Sequence, residues 1–161
     1  VAELAGQLGR QMRLSDKDLI VLEHGARLHD IGKLGIPDTI LMKPGPLSPE
    51  ERRTIERHPE IGCQIVAHID FLHDALPIIR HHHEHWDGSG YPYGLQGDDI
   101  PLLARIFSVV DAFDAQAHVR PYNTKPSVEK ALSSILDHRG MWFDPDAGDT
   151  FVAMAKLLDS K

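Results

Sequence analysis

Arg80-His81-His82-His83-Glu84-His85-Trp86-Asp87-Gly88-Ser89-Gly90-Tyr91-Pro92-Tyr93 places four imidazoles within five residues and runs them straight into a glycine-rich turn. Helices rarely gather histidines for packing alone, and neutral imidazole is the commonest metal ligand. Where a helix end gives way to a loop, neighbouring histidines can reach two ions or two faces of one. The bland alternatives are solvated surface histidines or the remnant of a purification tag. A tag sits at a terminus, whereas this run is internal and flanked by Glu84 and Asp87. The stretch therefore reads as the end of a helix that carries a site.

Working outward, the 161 residues suit one domain, residues 1–161, with a single core. Fractions of 42% apolar and 25% charged residues are those of a soluble globular chain. No apolar run approaches the roughly 20 residues of a membrane-spanning helix. A formal charge of −7 argues against a surface that tracks a nucleic-acid polymer. Cations held among the acidic and histidine residues would still make a site locally positive and suited to a small anion. A single cysteine, Cys63, excludes an internal disulfide and a cysteine-built zinc site; no leader is visible, so the cytoplasm is the expected compartment. Val1 already stands inside a helical pattern, which reads as a piece of a longer polypeptide.

The periodicity is helical throughout. Val1, Leu4, Ala5, Leu8 and Met12 share one face. Ser15 and Asp16 supply N-cap chemistry for a buried helix that carries the chain to His29-Asp30. Ile31 to Pro37 is expected as a loop bearing Lys33, with Gly32 and Gly35 relaxing its backbone. After the turn Lys43-Pro44-Gly45-Pro46, Ser48-Pro49-Glu50-Glu51 reads as a helix start. That helix should run to His58, where Pro59 would kink it and expose the histidine. Leu72 to His82 reads as a short helix with Pro77 inside it. Leu102 to Val110 begins a buried apolar helix continuing through Asp111, Phe113 and Asp114. Ser127 caps a helix from Val128 to His138 that stops at Gly140, and Asp144-Pro145 starts the last one. No strand is expected: the fold class is all-α.

Several polar groups stand where packing prefers apolar ones: His29-Asp30 at the end of an apolar helix, His58 at a proline, His82-His83 at a helix end, and Asp111 in an apolar helix. Burying so many without a metal would be costly. Adjacent helical side chains diverge by roughly 100°, so only two or three of the four clustered histidines can converge. His81 and His85 are expected to face solvent or the groups behind the ligands. His24, His68, His73, His118 and His138 read as surface residues, and Cys63 as core. Imidazole and carboxylate without thiolate suit iron, manganese or zinc, the first two favoured as ligand count rises. Two such ions bridged by a carboxylate are an apparatus for in-line attack on a phosphodiester, one activating water and both neutralising charge. Lys33 and Arg120 are candidates to clamp the phosphate oxygens. The Gly88–Pro92 turn, with Tyr91 exposed, reads either as the wall of a substrate cleft or as a docking surface.

Taken together, His29-Asp30-Ile31-Gly32-Lys33, His58-Pro59, His82-His83-Glu84, Asp87-Gly88-Ser89-Gly90-Tyr91-Pro92, Asp111-Ala112-Phe113-Asp114-Ala115 and Arg120-Pro121-Tyr122 resemble the HD-GYP family over essentially the whole chain. That resemblance implies a helical bundle of the HD superfamily with a buried metal site. It implies metal-dependent hydrolysis of cyclic di-GMP to pGpG or GMP, in the cytoplasm of a bacterium. The implied ligands are His29, Asp30, His58, His82, His83 and Asp111, with Asp30 bridging. They would hold two, in some members three, divalent ions: iron or manganese first, then zinc, magnesium, nickel or cobalt. Asp30 and Lys33 would be catalytic; Lys33, Arg120 and the Gly90-Tyr91-Pro92 loop would contact substrate. Two departures stand out. The family's first histidine ligand, and the acidic residue some members carry one turn earlier, would precede Val1, which implies weaker binding of one ion and reduced or lost activity in this stretch unless a longer chain restores it. Gln116-Ala117-His118 and Asn123 also replace the usual residues.

The resemblance further implies an upstream sensor in a longer chain, signalling partners at the GYP loop and a homodimer as further partners. The principal rival to an enzyme is a non-catalytic signalling module using that loop. A hydrolase of another cyclic dinucleotide is the third reading.

Overall fold

The computed structural model describes residues 1–118 and 127–159. Among them the helices are α1 (Ala2–Gln11), α2 (Asp16–Leu28), α3 (Asp38–Leu41), α4 (Pro49–Ile55), α5 (His58–Val66), α6 (Leu76–His81), α7 (Leu102–Ala117), α8 (Val128–Asp137) and α9 (Pro145–Asp159). Tight 3-10 turns at Ile31–Gly35 and Asp70–Ala75 complete the path to α6. No strand occurs among the described residues; backbone pairing outside helices is limited to isolated bridges Asp87 to Gln96 and Arg139 to Phe143. The all-α expectation is met. None of the described helices is long and apolar enough to cross a membrane.

The apolar run Leu102–Val110 forms the first turns of α7, the helix on which five others lean. It packs against α1, α2, α6, α8 and α9, which is why it is apolar on most of its circumference. Ala104, Ile106, Phe107, Val109, Val110 and Phe113 are buried there with Leu8, Leu22, Ile78, Ile135 and Phe151. A smaller cluster, Cys63, Val66, Leu72 and Ile79, fills the space beneath α5 and α6, so Cys63 is core as expected. α2 buries only one face, Val21, Leu22, Gly25 and Ala26, and leaves Ile20 exposed, less buried than its sequence suggests.

Two prolines start helices, Pro59 where an interruption was expected and Pro77 where a helix was expected to run through it. Pro59 occupies the first turn of α5 and Pro77 the first turn of α6, where a missing N–H costs nothing. His58 consequently opens a new helix and is 1% exposed, the opposite of the expected exposure at a kink. α4 begins as read, with Ser48 and Glu51 closing a reciprocal capping box. Ser15 and Ser127 likewise accept from the backbone N–H groups of Asp18 and Lys130.

The segment after Asp30 is a 3-10 turn instead of a relaxed loop, and neither Gly32 nor Gly35 has a positive φ. Gly32 serves close approach. A Cβ there would strike the carbonyl oxygen of His58 and the amide nitrogen of Gly62, so the turn lies directly on the α5 backbone. This contact brings Asp30 to His58.

Candidate metal centre

Three helix ends converge on one point. His29 follows α2, His58 lies three residues beyond the end of α4, and His82 follows α6. Each turns its Nδ1 to the carbonyl three residues back: Ala26 at 2.9 Å, Ile55 at 2.8 Å and Ile79 at 2.9 Å. A carbonyl only accepts, so each Nδ1 carries a proton, and on the neutral rings of His58 and His82 the Nε2 presents a lone pair. These contacts also satisfy helix-terminal carbonyls that lack partners within the helix.

The lone pairs point inward. His58 Nε2 lies 3.3 Å from His82 Nε2, and His58, His82 and His83 each offer a nitrogen within 4.8 Å of the others. Asp30 spans the two sides, Oδ1 lying 3.5 Å from His58 Nε2 and Oδ2 lying 3.3 Å from His29 Nε2. Asp111 Oδ1 stands 3.6 Å from the same His29 nitrogen. All six residues expected as ligands therefore meet, three histidines on one side, His29 and Asp111 on the other, Asp30 between.

Electrostatics tests whether this set suits cations. Burial, with the positive charge that neighbouring imidazoles would carry, pushes His82 well below the ordinary histidine range and His83 down to about 3; burial also lowers His58. Those three rings are neutral donors at pH 7. Two buried lone pairs 3.3 Å apart repel unless a cation lies between them, and a proton is disfavoured there. His29 moves the other way: burial opposes its charge, but the hydrogen bond and charges of Asp30 and Asp111 prevail. Burial likewise opposes ionisation of Asp30, yet His29 and Lys33 hold its carboxyl far below the usual range. Neutral imidazoles beside ionised carboxylates are the donor set that divalent ions of intermediate softness require.

Lys33 donates to Asp30 Oδ2 at 2.6 Å, so its ammonium is engaged with the central carboxylate. Arg120, the other expected phosphate contact, lies outside the described residues, as do Pro121, Tyr122 and Asn123. Tyr91 is not the exposed side chain expected. It stacks on His83, ring centroids 4.7 Å apart and planes at 27°, while its N–H donates to the His83 carbonyl at 3.1 Å. Burial raises its hydroxyl above the usual phenol range. Gly90 makes this possible, since a Cβ there would strike backbone atoms of His83 and His85. The Tyr91-Pro92 peptide is cis.

Other groups were not apparent from the sequence. Glu84 is buried, and its oxygens accept from the N–H groups of Tyr93 at 2.9 Å and Leu95 at 3.0 Å. Bonds of this charge-assisted kind contribute about 1.5–3 kcal/mol each. A glutamate wedged between imidazoles and a glycine-rich turn, whose amides need acceptors, was the available signal. Arg105 joins Asp98 at 2.7 Å and Asp144 at 2.8 Å and lies over Trp86, tying the loop after the site to the start of α9. His138 is half-buried, stacked on Trp142 with His85 also parallel to that indole, so it is no surface residue. His24 is half-buried too, edge-on to Phe71. His85, for its part, hydrogen-bonds Ser89, and His81 sits beside Tyr93.

A cavity of about 260 Å³ opens beside the centre, lined by His82, His83, His85, Ser108, Asp111 and Trp142 among others. A larger groove of about 520 Å³ between α1 and α2 shares none of these residues and gathers no comparable ligand set.

Comparison with known proteins gives this geometry its family. The HD domain model matches residues 1–147. The cyclic di-GMP phosphodiesterase response regulator RpfG of Xanthomonas campestris is 40% identical over 154 residues, covering 94% of this chain and 41% of that protein. The 3'3'-cGAMP-specific phosphodiesterase 3 of Vibrio cholerae is 38% identical over 159 residues, covering 99% and 34%. Among solved structures, Bd1817, an HDG"Y"P protein from Bdellovibrio bacteriovorus, superimposes with a TM-score of 0.75 at 25% identity, covering 96% of this chain and 50% of that one. The chain thus spans less than half the length of the curated relatives it matches. With its helical bundle and its His-Asp and Gly-Tyr-Pro motifs in place, the chain belongs to the HD domain family, in its HD-GYP branch.

Proposed function

We propose that this chain, residues 1–161 forming one HD-GYP domain, hydrolyses cyclic di-GMP as a metal-dependent phosphodiesterase. The observation that carries the reading is the convergence of the proton-free nitrogens of His58, His82 and His83 on one side of Asp30, with His29 and Asp111 on its other side, beside a cavity. In this reading His58, His82 and His83 would hold one divalent ion, and His29 and Asp111, with Asp30 between the two groups, would provide for a second. Iron or manganese fits the donor set best. Such a pair supplies Lewis acidity toward phosphate oxygens and a nucleophilic water at neutral pH.

The chain's own part is positional. The three carbonyl contacts fix the planes of His29, His58 and His82, and burial keeps His82 and His83 deprotonated for ligation. Lys33 holds Asp30 ionised and sets a positive charge beside the position of the phosphate. Arg120 is assigned the second phosphate contact. Tyr91 with Gly90 and Pro92 roofs the His83 side, and the 260 Å³ cavity receives part of the dinucleotide. A role confined to docking signalling proteins fits less well, because Tyr91 is packed against a ligand instead of presented outward. The compartment in this reading is the bacterial cytoplasm.

The test is turnover of cyclic di-GMP by the chain purified without metal and then loaded with Fe(II) or Mn(II), with 3'3'-cGAMP as competing substrate. Metal-dependent release of pGpG or GMP, abolished by chelation, supports the proposal. Preferential cleavage of 3'3'-cGAMP would replace the substrate, and full loading without cleavage of either would overturn the activity.

A further inference from the structure

His83 differs from the other imidazoles of the cluster. Carbonyls of their own chain segments clip His29, His58 and His82, but no such clip on His83 occurs among the described residues. Its ring meets the already clipped rings of His82 and, edge-on, His58, and the face of Tyr91 stacks on it as the further restraint. Tyr91 is tied on both sides: Gly90 rests on the backbone of residues 83–85, and residues 93 and 95 hang from the two oxygens of Glu84. Glu84 is no ligand itself, since its side chain is fully buried and faces the loop amides; its closest imidazole nitrogen, His81 Nδ1, is 3.7 Å away.

We propose that Glu84 is a positioning residue that sets the plane of His83 in the metal centre, acting through the 91–95 loop and Tyr91. The proposal rests on reading the three-histidine cluster as a metal site. The physical step is short. A carboxylate offers acceptors to both loop amides, whereas a glutamine offers one acceptor and turns an N–H toward the second amide. Glu84→Gln therefore keeps shape and volume but frees one anchor of the loop, so the Tyr91 ring loses its fixed angle and His83 its restraint. Groups that orient ligands from behind typically change metal affinity by about 10–100-fold.

The experiment titrates the metal-free chain with cobalt(II), in a His29→Ala background that leaves the three-histidine cluster as the measured site. Visible absorption reports coordination geometry and equilibrium dialysis reports affinity. Glu84→Gln and Tyr91→Ala should each weaken binding about tenfold and shift the visible bands. The double variant should bind no worse than either single one, and Tyr91→Phe, which keeps the ring, should match the parent. Unchanged affinity and spectrum in Glu84→Gln, or losses that add in the double variant, would overturn the role. Should Glu84→Gln fail to fold, the Tyr91 pair decides: Tyr91→Ala binding like the parent refutes the proposal. A parent that binds no cobalt would instead bring down the metal-centre reading, and this inference with it.

Discussion

His82 and His83 are neighbours in the sequence and are held by unrelated means. His82 is part of a floor: with His29 and His58 it is fixed by a carbonyl three residues back, a contact as local as the helix end that makes it. His83 belongs to a roof, restrained by a tyrosine eight residues on, whose loop hangs from a buried glutamate. The difference teaches that three imidazoles of this centre are set by helix termination and the fourth by loop packing. The first should survive changes in the second, but not the reverse.

The strongest blow to the floor is Asp30→Asn, because both sides of the cluster share that carboxylate. Metal content should fall at both sides and turnover should drop at least about a hundredfold, beyond the usual effect of groups standing behind ligands. Elemental analysis alongside turnover checks this, and retention of full metal would dissolve the distinction between floor and roof. Gly32→Ala comes next. Its methyl group would force the 3-10 turn off α5, at a cost of about 2 kcal/mol in an overpacked site, seen as a lower thermal midpoint. Tyr91→Ala should lower turnover only about tenfold with the fold intact; a collapse as deep as that of Asp30→Asn would mean that roof and floor are one unit. Ser48→Ala, in the capping box at the opposite end of α4 from Ile55, should cost about 1 kcal/mol of stability and leave metal affinity unchanged.

The same division governs what was legible in the sequence. Helix class, the caps at Ser15, Ser48 and Ser127, and the gathering of the six ligand candidates follow from periodicity and short motifs, which are local. Pro59 and Pro77 misled, because a proline reads alike as a helix breaker and a first-turn residue until the end of the preceding helix is known. That ambiguity hid the burial of His58. Tyr91 looked exposed because nothing in its neighbours reports a ring across the loop. Arg105 and Asp144 are separated by 39 positions, so their pairing needs the packed structure. Lys33 reads from the sequence as a phosphate clamp; its bond to Asp30 depends on rotamers that no spacing encodes.

The Nδ1 contacts carry one more consequence. Each involves a carbonyl left without a partner at a helix terminus, so the same imidazole completes its segment and aims its free nitrogen. The donors are therefore arranged by folding itself, and an arriving ion need not freeze wandering side chains on that side. Replacing His29, His58 or His82 should loosen a helix end as well as remove a donor, whereas replacing His83 removes a donor and the ring beneath Tyr91 but opens no helix end. A histidine scan read by hydrogen exchange of the amides near each helix end would separate these two kinds of loss, with local opening at three positions and none at the fourth.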